Sequence, residues 1–167
     1  MNRNFEAIVH MLPDIIYKLD ADGHFLYINN SIRNLGYEPG ELIFKHFSII
    51  IHPEDIGNVQ RTTVVNRLVE NALAGTQTPK LFDERRTGRR ITRDLKVRLV
   101  PKDCSLVKSG REIVACCNVI AVGQYHAEPD SDGREFTGTL GVIRDIMNVR
   151  KSEESLLRCI DYYQYLV

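Results

Sequence analysis

Residues 91–99 alternate with a period of two: Ile91, Arg93, Leu95, Val97 and Leu99 on one side, Thr92, Asp94, Lys96 and Arg98 on the other. Successive side chains of an extended chain point to opposite faces. Four apolar residues on one side against four polar ones therefore describe a strand with one dry and one wet face. Such a strand belongs in an antiparallel sheet, because parallel sheets are covered on both sides. Residues 113–122 (Ile-Val-Ala-Cys-Cys-Asn-Val-Ile-Ala-Val) are apolar on both faces. They predict a central strand whose second side is covered by an N-terminal helix or a partner subunit. A polar loop, Glu128–Glu135, leads to a third strand from Phe136 to about Ile146.

The first half of the chain supplies the rest. Phe5, Ile8, Val9 and Leu12 share one face of a helix that Asn4 can cap and Pro13 stops. Asp14–Asp20 and Phe25–Asn29, joined through Asp22-Gly23, read as a β-hairpin. Gly36, Pro39-Gly40 and Pro53 punctuate residues 30–57 into short helical turns. Val65, Leu68, Val69 and Ala72 then predict one longer helix over Asn58–Ala74, ended by Gly75. Leu156, Ile160, Tyr163 and Val167 step by four, three and four behind a Ser152 cap. That spacing suits a coiled-coil connector that also carries a dimer contact; a terminal helix packed on its own domain is the alternative. Expected is an α+β domain around one five-stranded antiparallel sheet, with short helices on one face. Its parts are a flanking helix over 1–12, the domain proper over 13–149 and a connector helix over 150–167.

Charge and composition exclude other classes. The 167 residues carry 22 Lys+Arg against 22 Asp+Glu, so no global charge draws the chain to nucleic acid or anionic lipid. No apolar run reaches the roughly 18 residues that span a membrane, and Met1–Phe5 has no apolar signal core, so a cytoplasmic protein is expected. Cys104, Cys116, Cys117 and Cys159 show neither C-x-x-C nor zinc spacing. They read as small hydrophobes, with Cys116 and Cys117 on opposite faces of their strand. No G-x-S-x-G, Walker A, H-E-x-x-H or kinase motif is present, so no enzyme activity is expected in this chain. His52 with Asp55 could form an acid–base pair, on proximity in sequence alone.

Over about residues 5–155 the chain resembles a PAS domain, a sensory module of signalling proteins. The stretch LPDIIYKLDADGHFLYINNSIRNLGYEPGEL is similar to the family's opening hairpin and the Gly-Tyr and Pro-Gly-Glu-Leu steps after it. HPED resembles the signature before the family's long helix, and GTLGVIRDIMNVRKSEESL its exit strand and linker. The family's Thr after Asp-Ile is Met147 here, which leaves Asp145 as the matching polar residue for signal transmission at the sheet-to-helix junction. Residues 101–112 form an unusually long connection.

The resemblance implies a sensory input domain that binds a small ligand or dimerises, and that passes a signal through its C-terminal helix to an output domain. A histidine kinase in a two-component phosphorelay is the expected parent. The alternative is a ligand-free homodimerisation module, as of a diguanylate cyclase. Candidate pocket residues are Tyr27, Asn29, Phe47, Val64, Leu68, Val97, Asn118 and Arg144; a solid core is the other reading. Haem-binding relatives carry their ligand His on the long helix, where this chain has none. Flavin-binding relatives place a reactive Cys in the short-helix region, and no Cys falls within residues 30–75. The cofactor is therefore left open, and no metal is expected. Residues 80–102 hold nine basic and three acidic side chains. Arg85, Arg86, Arg89 and Arg90 flank Thr87-Gly88, which suits a phosphate-binding patch. A solvated hairpin tip or a docking surface for an acidic partner domain is the alternative.

Overall fold

A computed structural model describes residues 8–9, 12–70, 78–103, 115–127 and 134–145. Five strands form one antiparallel sheet: β1 (Ile15–Leu19), β2 (Phe25–Ile28), β3 (Thr92–Leu99), β4 (Ala115–Ala127) and β5 (Arg134–Asp145). Their order is β2-β1-β5-β4-β3. Short helices α1 (Pro39–Leu42), α2 (Pro53–Val59) and α3 (Arg61–Glu70) accompany it, with 3-10 turns at Asn30–Leu35 and Phe47–Ile50. This is the α+β architecture expected from the pattern. The middle strand is β5; β4, expected at the centre, lies between β5 and β3.

The β1–β2 turn is held by Asp20, whose carboxylate accepts the amides of Asp22 and His24 at 2.9 Å. Gly23 supplies the positive φ of 90° that the turn requires. Beyond β2 the chain crosses the sheet and touches both edges. At one edge, Phe25 exchanges hydrogen bonds with Lys45 O and Phe44 N. At the other, His52 N donates to Arg98 O and Val100 N to Ile50 O, both at 2.9 Å. This strap closes the sheet into a half-cup around a core that includes Tyr17, Leu19, Phe25, Phe47, Ile50, Phe82, Leu99 and Val119.

The structure corrects two details. The helix expected over Asn58–Ala74 is interrupted at Gln60, which adopts extended backbone (φ −82°, ψ 126°). Asp83 Oδ1 accepts the Arg61 amide at 2.7 Å and caps the new helix start. Second, Thr92, expected on the wet face, is buried. Asp94 sits at φ 54° in a register shift between Thr92 and Leu95, and this bulge turns Thr92 inward. Cys116 is exposed and Cys117 buried, as alternation requires. Ile8 and Val9 are helical. Leu12, expected on the same helix face, is exposed and not helical. Residues 1–7, 10 and 11 of the flanking helix, Met147, the connector 150–167 with Leu156, Ile160 and Tyr163, and Cys104 and Cys159 lie outside the described residues.

Candidate functional site

The inner face of the sheet is filled by rings. Phe82 lies between Tyr17 (centroids 4.6 Å apart, planes 4° apart) and Phe47 (4.8 Å, 21°). All three are fully buried, and Tyr17 Oη donates to Phe82 O at 2.9 Å. Two glycines let the sheet accept close neighbours, Gly141 the ring stack and Gly123 the Arg85 backbone. A Cβ on Gly141 would stand 2.2 Å from Tyr17 Cζ, and one on Gly123 would stand 2.2 Å from Arg85 O. Beside the rings, a cavity of about 40 Å³ is lined by Ile15, Leu35, Leu99, Cys117 and Ile143 among others. It has room for a few waters. A flavin or haem, which needs roughly 300 Å³ or more, does not fit there.

The eight residues expected to line one pocket do not converge. Asn29 is fully buried at the end of β2 and fastens backbone. Its Oδ1 accepts from Ile16 N, and its Nδ2 donates to Val9 O and Asp14 O, each at 3.0 Å. Phe47 belongs to the ring stack, Val97 is buried on β3, Tyr27 is half-buried on β2, and Val64 is half-buried on α3, which also carries Leu68. Asn118 and Arg144 face one another in the β4–β5 register. Their neighbours Cys117, Val119 and Ile143 are buried. Period-two alternation therefore turns both of them to the outer face, away from the helices, which corrects their assignment to the pocket. Asn118 Nδ2 donates to Asp94 Oδ1 at 3.0 Å, while its buried Oδ1 has no hydrogen-bond partner among the described residues. Arg144 is exposed and pairs with Asp14 at 3.0 Å. Asp145, assigned to signal transmission, ends β5 and pairs in register with Cys117.

His52 and Asp55 are both engaged structurally. The His52 ring accepts the Glu54 amide at the start of α2. Asp55 receives the Arg98 amide at 2.8 Å and its guanidinium at 2.6 Å. These hydrogen bonds outweigh burial and hold the Asp55 carboxyl below its ordinary range.

A second space, about 360 Å³, opens between α3, residues 79–90 and the β4–β5 hairpin. Its wall carries Arg61, Arg85, Arg86, Arg90 and Arg134, with Val65, Leu81 and Tyr125 as the less polar surface. Glu84, fully buried, organises this wall. Its carboxylate accepts the amides of Arg85 (2.9 Å) and Arg86 (2.8 Å), Arg86 Nε (2.7 Å) and Thr92 Oγ1 (2.6 Å). Burial pushes the Glu84 carboxyl up, but the hydrogen bonds from Arg86 and Thr92 prevail and hold it below its ordinary value. Asp83, beside it, is pushed up by burial to about 6, even though it accepts the Arg61 amide. Sequence reading found Arg85, Arg86 and Arg90. It missed Arg61 and Arg134, which reach this place only when α3 and the hairpin pack together.

The half-cup sheet strapped by short helices defines a class of sensory modules, and the comparisons name it. The PAS fold family matches residues 3–146, and the chain belongs to that family. PAS domains are sensory modules rather than catalysts. Among solved structures, the PAS domain of a protein from Colwellia psychrerythraea is 19% identical with a TM-score of 0.55, covering 86% of this chain and 95% of that one. The PAS domain of an HTR-like protein from Haloarcula marismortui is 19% identical with a TM-score of 0.50, covering 86% and 89%. Both are likenesses of fold. Among curated proteins, the blue light receptor lreA of Aspergillus flavus is 45% identical over 62 residues, 35% of this chain and 7% of that receptor. No helix among the described residues is long and apolar enough to cross a membrane.

Proposed function

We propose that this PAS domain is the input module of a longer signalling protein and that its message leaves through β5 and the segment after Asp145. The supporting observation is the position of β5. It is paired with β1 from Thr139 to Ile143 and with β4 from Arg134 to Asp145. A change in either half of the sheet therefore reaches the strand that leads out of the domain. A signal acts only through unequal affinity for two arrangements. The proposed output is a histidine kinase, on the family resemblance; a diguanylate cyclase is the alternative. The test joins residues 1–167 to either output and substitutes Asp145→Ala, or Leu156, Ile160 and Tyr163 together by Ala. A severalfold change in output at unchanged domain stability is expected; unchanged output overturns the route.

The ring-filled interior favours a second reading, a dimerisation module without an interior ligand. Ile16, Val142 and Ile120 are aligned by register across β1, β5 and β4, on the outer face. Ile120 is 46% exposed. Sedimentation and native mass spectrometry discriminate. A dimer with no retained small molecule, broken by Ile120→Glu, supports this reading; a monomer that holds a ligand defeats it.

A further inference from the structure

The cleft wall is a concentration of positive charge with few carboxylates to balance it among the described residues. Its five arginines come from three separate stretches: Arg61 opens α3, Arg85, Arg86 and Arg90 precede β3, and Arg134 opens β5. The one carboxylate in the wall, Glu84, is already used by Arg86, Thr92 and two backbone amides. Asp83 stands near Arg61 and Arg85, and it spends one oxygen on the Arg61 amide. Of the cleft's arginines, only Arg86 holds an ion pair among the described residues. Arg85 is turned aside, donating to Ala21 O at 3.1 Å and lying 4.5 Å over the Phe136 ring. Arg90 and Arg134 are exposed side chains on the rim of this space.

Like charges that serve only for solubility gain by spreading over a surface, because gathering them around one concavity raises their mutual repulsion. An anion in that concavity reverses the sign of the effect. Guanidinium groups bind carboxylate and phosphate through paired hydrogen bonds. A phosphate monoester carries about −1.5 to −2 charge and three acceptor oxygens, more than one carboxylate offers. It therefore matches several arginines around one cleft better. The remaining wall adds shape. Val65, Leu81 and the Tyr125 ring give an apolar, partly aromatic surface, and the Tyr125 hydroxyl is already committed to Arg85 O at 2.7 Å. A volume of about 360 Å³ lies within the range of small-molecule sites. A single-stranded nucleic acid would need a series of rings for stacking, and Tyr125 is the one aromatic residue in the wall.

We propose that this cleft binds a small phosphate monoester carried on a planar or apolar body. The phosphate sits against Arg90, Arg134 and Arg61, and the body lies on Val65, Leu81 and Tyr125. Such a ligand bridges α3 and the start of β5. The site stands on its own residues and does not depend on the signalling route proposed above.

The test is calorimetric titration of the 167-residue chain at fixed ionic strength with phenyl phosphate, adenosine 5′-monophosphate, inorganic phosphate, succinate, a single-stranded oligonucleotide and an acidic peptide. Saturable one-to-one binding of the two esters, tighter than inorganic phosphate or succinate, is expected. Replacing both exposed arginines (Arg90→Ala with Arg134→Ala) weakens ester binding by about tenfold or more, since two charge-assisted contacts are lost, without changing the melting temperature of the free protein. On the unaltered chain, amide shifts during the phenyl phosphate titration concentrate at Arg61, residues 84–90 and Arg134. Absence of saturable binding, equal affinity in the double variant, or shifts centred elsewhere overturns the site. Succinate binding as tightly as the esters overturns the phosphate assignment. Preference for a single-stranded oligonucleotide or an acidic peptide over the esters overturns the small-molecule assignment.

Discussion

Tyr17 lies across Gly141, its register partner on β5. The closeness is such that a methyl group at residue 141 would fall 2.2 Å from Tyr17 Cζ and 2.4 Å from its hydroxyl oxygen. The glycine is therefore a space requirement of the ring stack. Gly141→Ala forces the ring off Phe82 and costs about 1–3 kcal/mol, the usual range for overpacking a filled core. Tyr17→Phe keeps the ring but leaves the buried Phe82 carbonyl without its donor, at about 1–3 kcal/mol. Urea midpoints check both; a Gly141→Ala midpoint equal to the parent's contradicts the account.

Asp83 makes stability depend on pH in an unusual direction. Burial raises its carboxyl from 3.8 to about 6. Between about pH 4 and 6 the folded chain keeps a proton that the unfolded chain has released. Its contribution to stability therefore falls as pH rises through that window and stays lowered above it. Asp83→Asn keeps an oxygen for the Arg61 amide and removes the charge. The variant should exceed the parent at pH 7 by about 1–3 kcal/mol, a shift of two units being the upper bound. The gain should fade towards pH 4. Glu84 and Asp55, held low by Arg86 and Arg98, slope the other way. Thermal melts of variant against parent across pH 4–7 cancel those terms and isolate Asp83.

Asn29 ties the segment entering β1 to the end of β2 through three backbone partners. Asn29→Ala strips Ile16 N, Val9 O and Asp14 O of that partner at once, at about 1–3 kcal/mol or more. Asn29→Asp keeps the acceptor, loses both donors and buries a charge, so it is expected to be at least as harmful. Limited proteolysis adds a local readout: cleavage near residues 9–14 should quicken in both variants. Unchanged cleavage would assign Asn29 no fastening role.

The strands were legible because period-two patterning depends on local burial alone. Residues 91–99, 113–122 and 136–146 all read as strands, and apart from Ile91 the described parts of each are strands. The hairpin was legible through Asp22-Gly23. The break at Gln60 was not, because its cause, the Asp83 carboxylate, is 22 residues from Arg61. Nor was the inward turn of Thr92, which depends on a bulge at Asp94 and on a buried partner, Glu84. Phe82 is embedded in a polar stretch, so nothing local marked it as the middle ring of the core. For the same reason the cleft was half visible: three of its arginines are neighbours in the chain, and the other two arrive with separate elements.

The chain's own backbone occupies one end of each edge strand, through Phe44 and Lys45 against Phe25 at the start of β2 and through Ile50 and His52 against Val100 and Arg98 at the end of β3. A second molecule that adds a strand at either place must first displace this strap, which shortens the edge open to fibril-like growth.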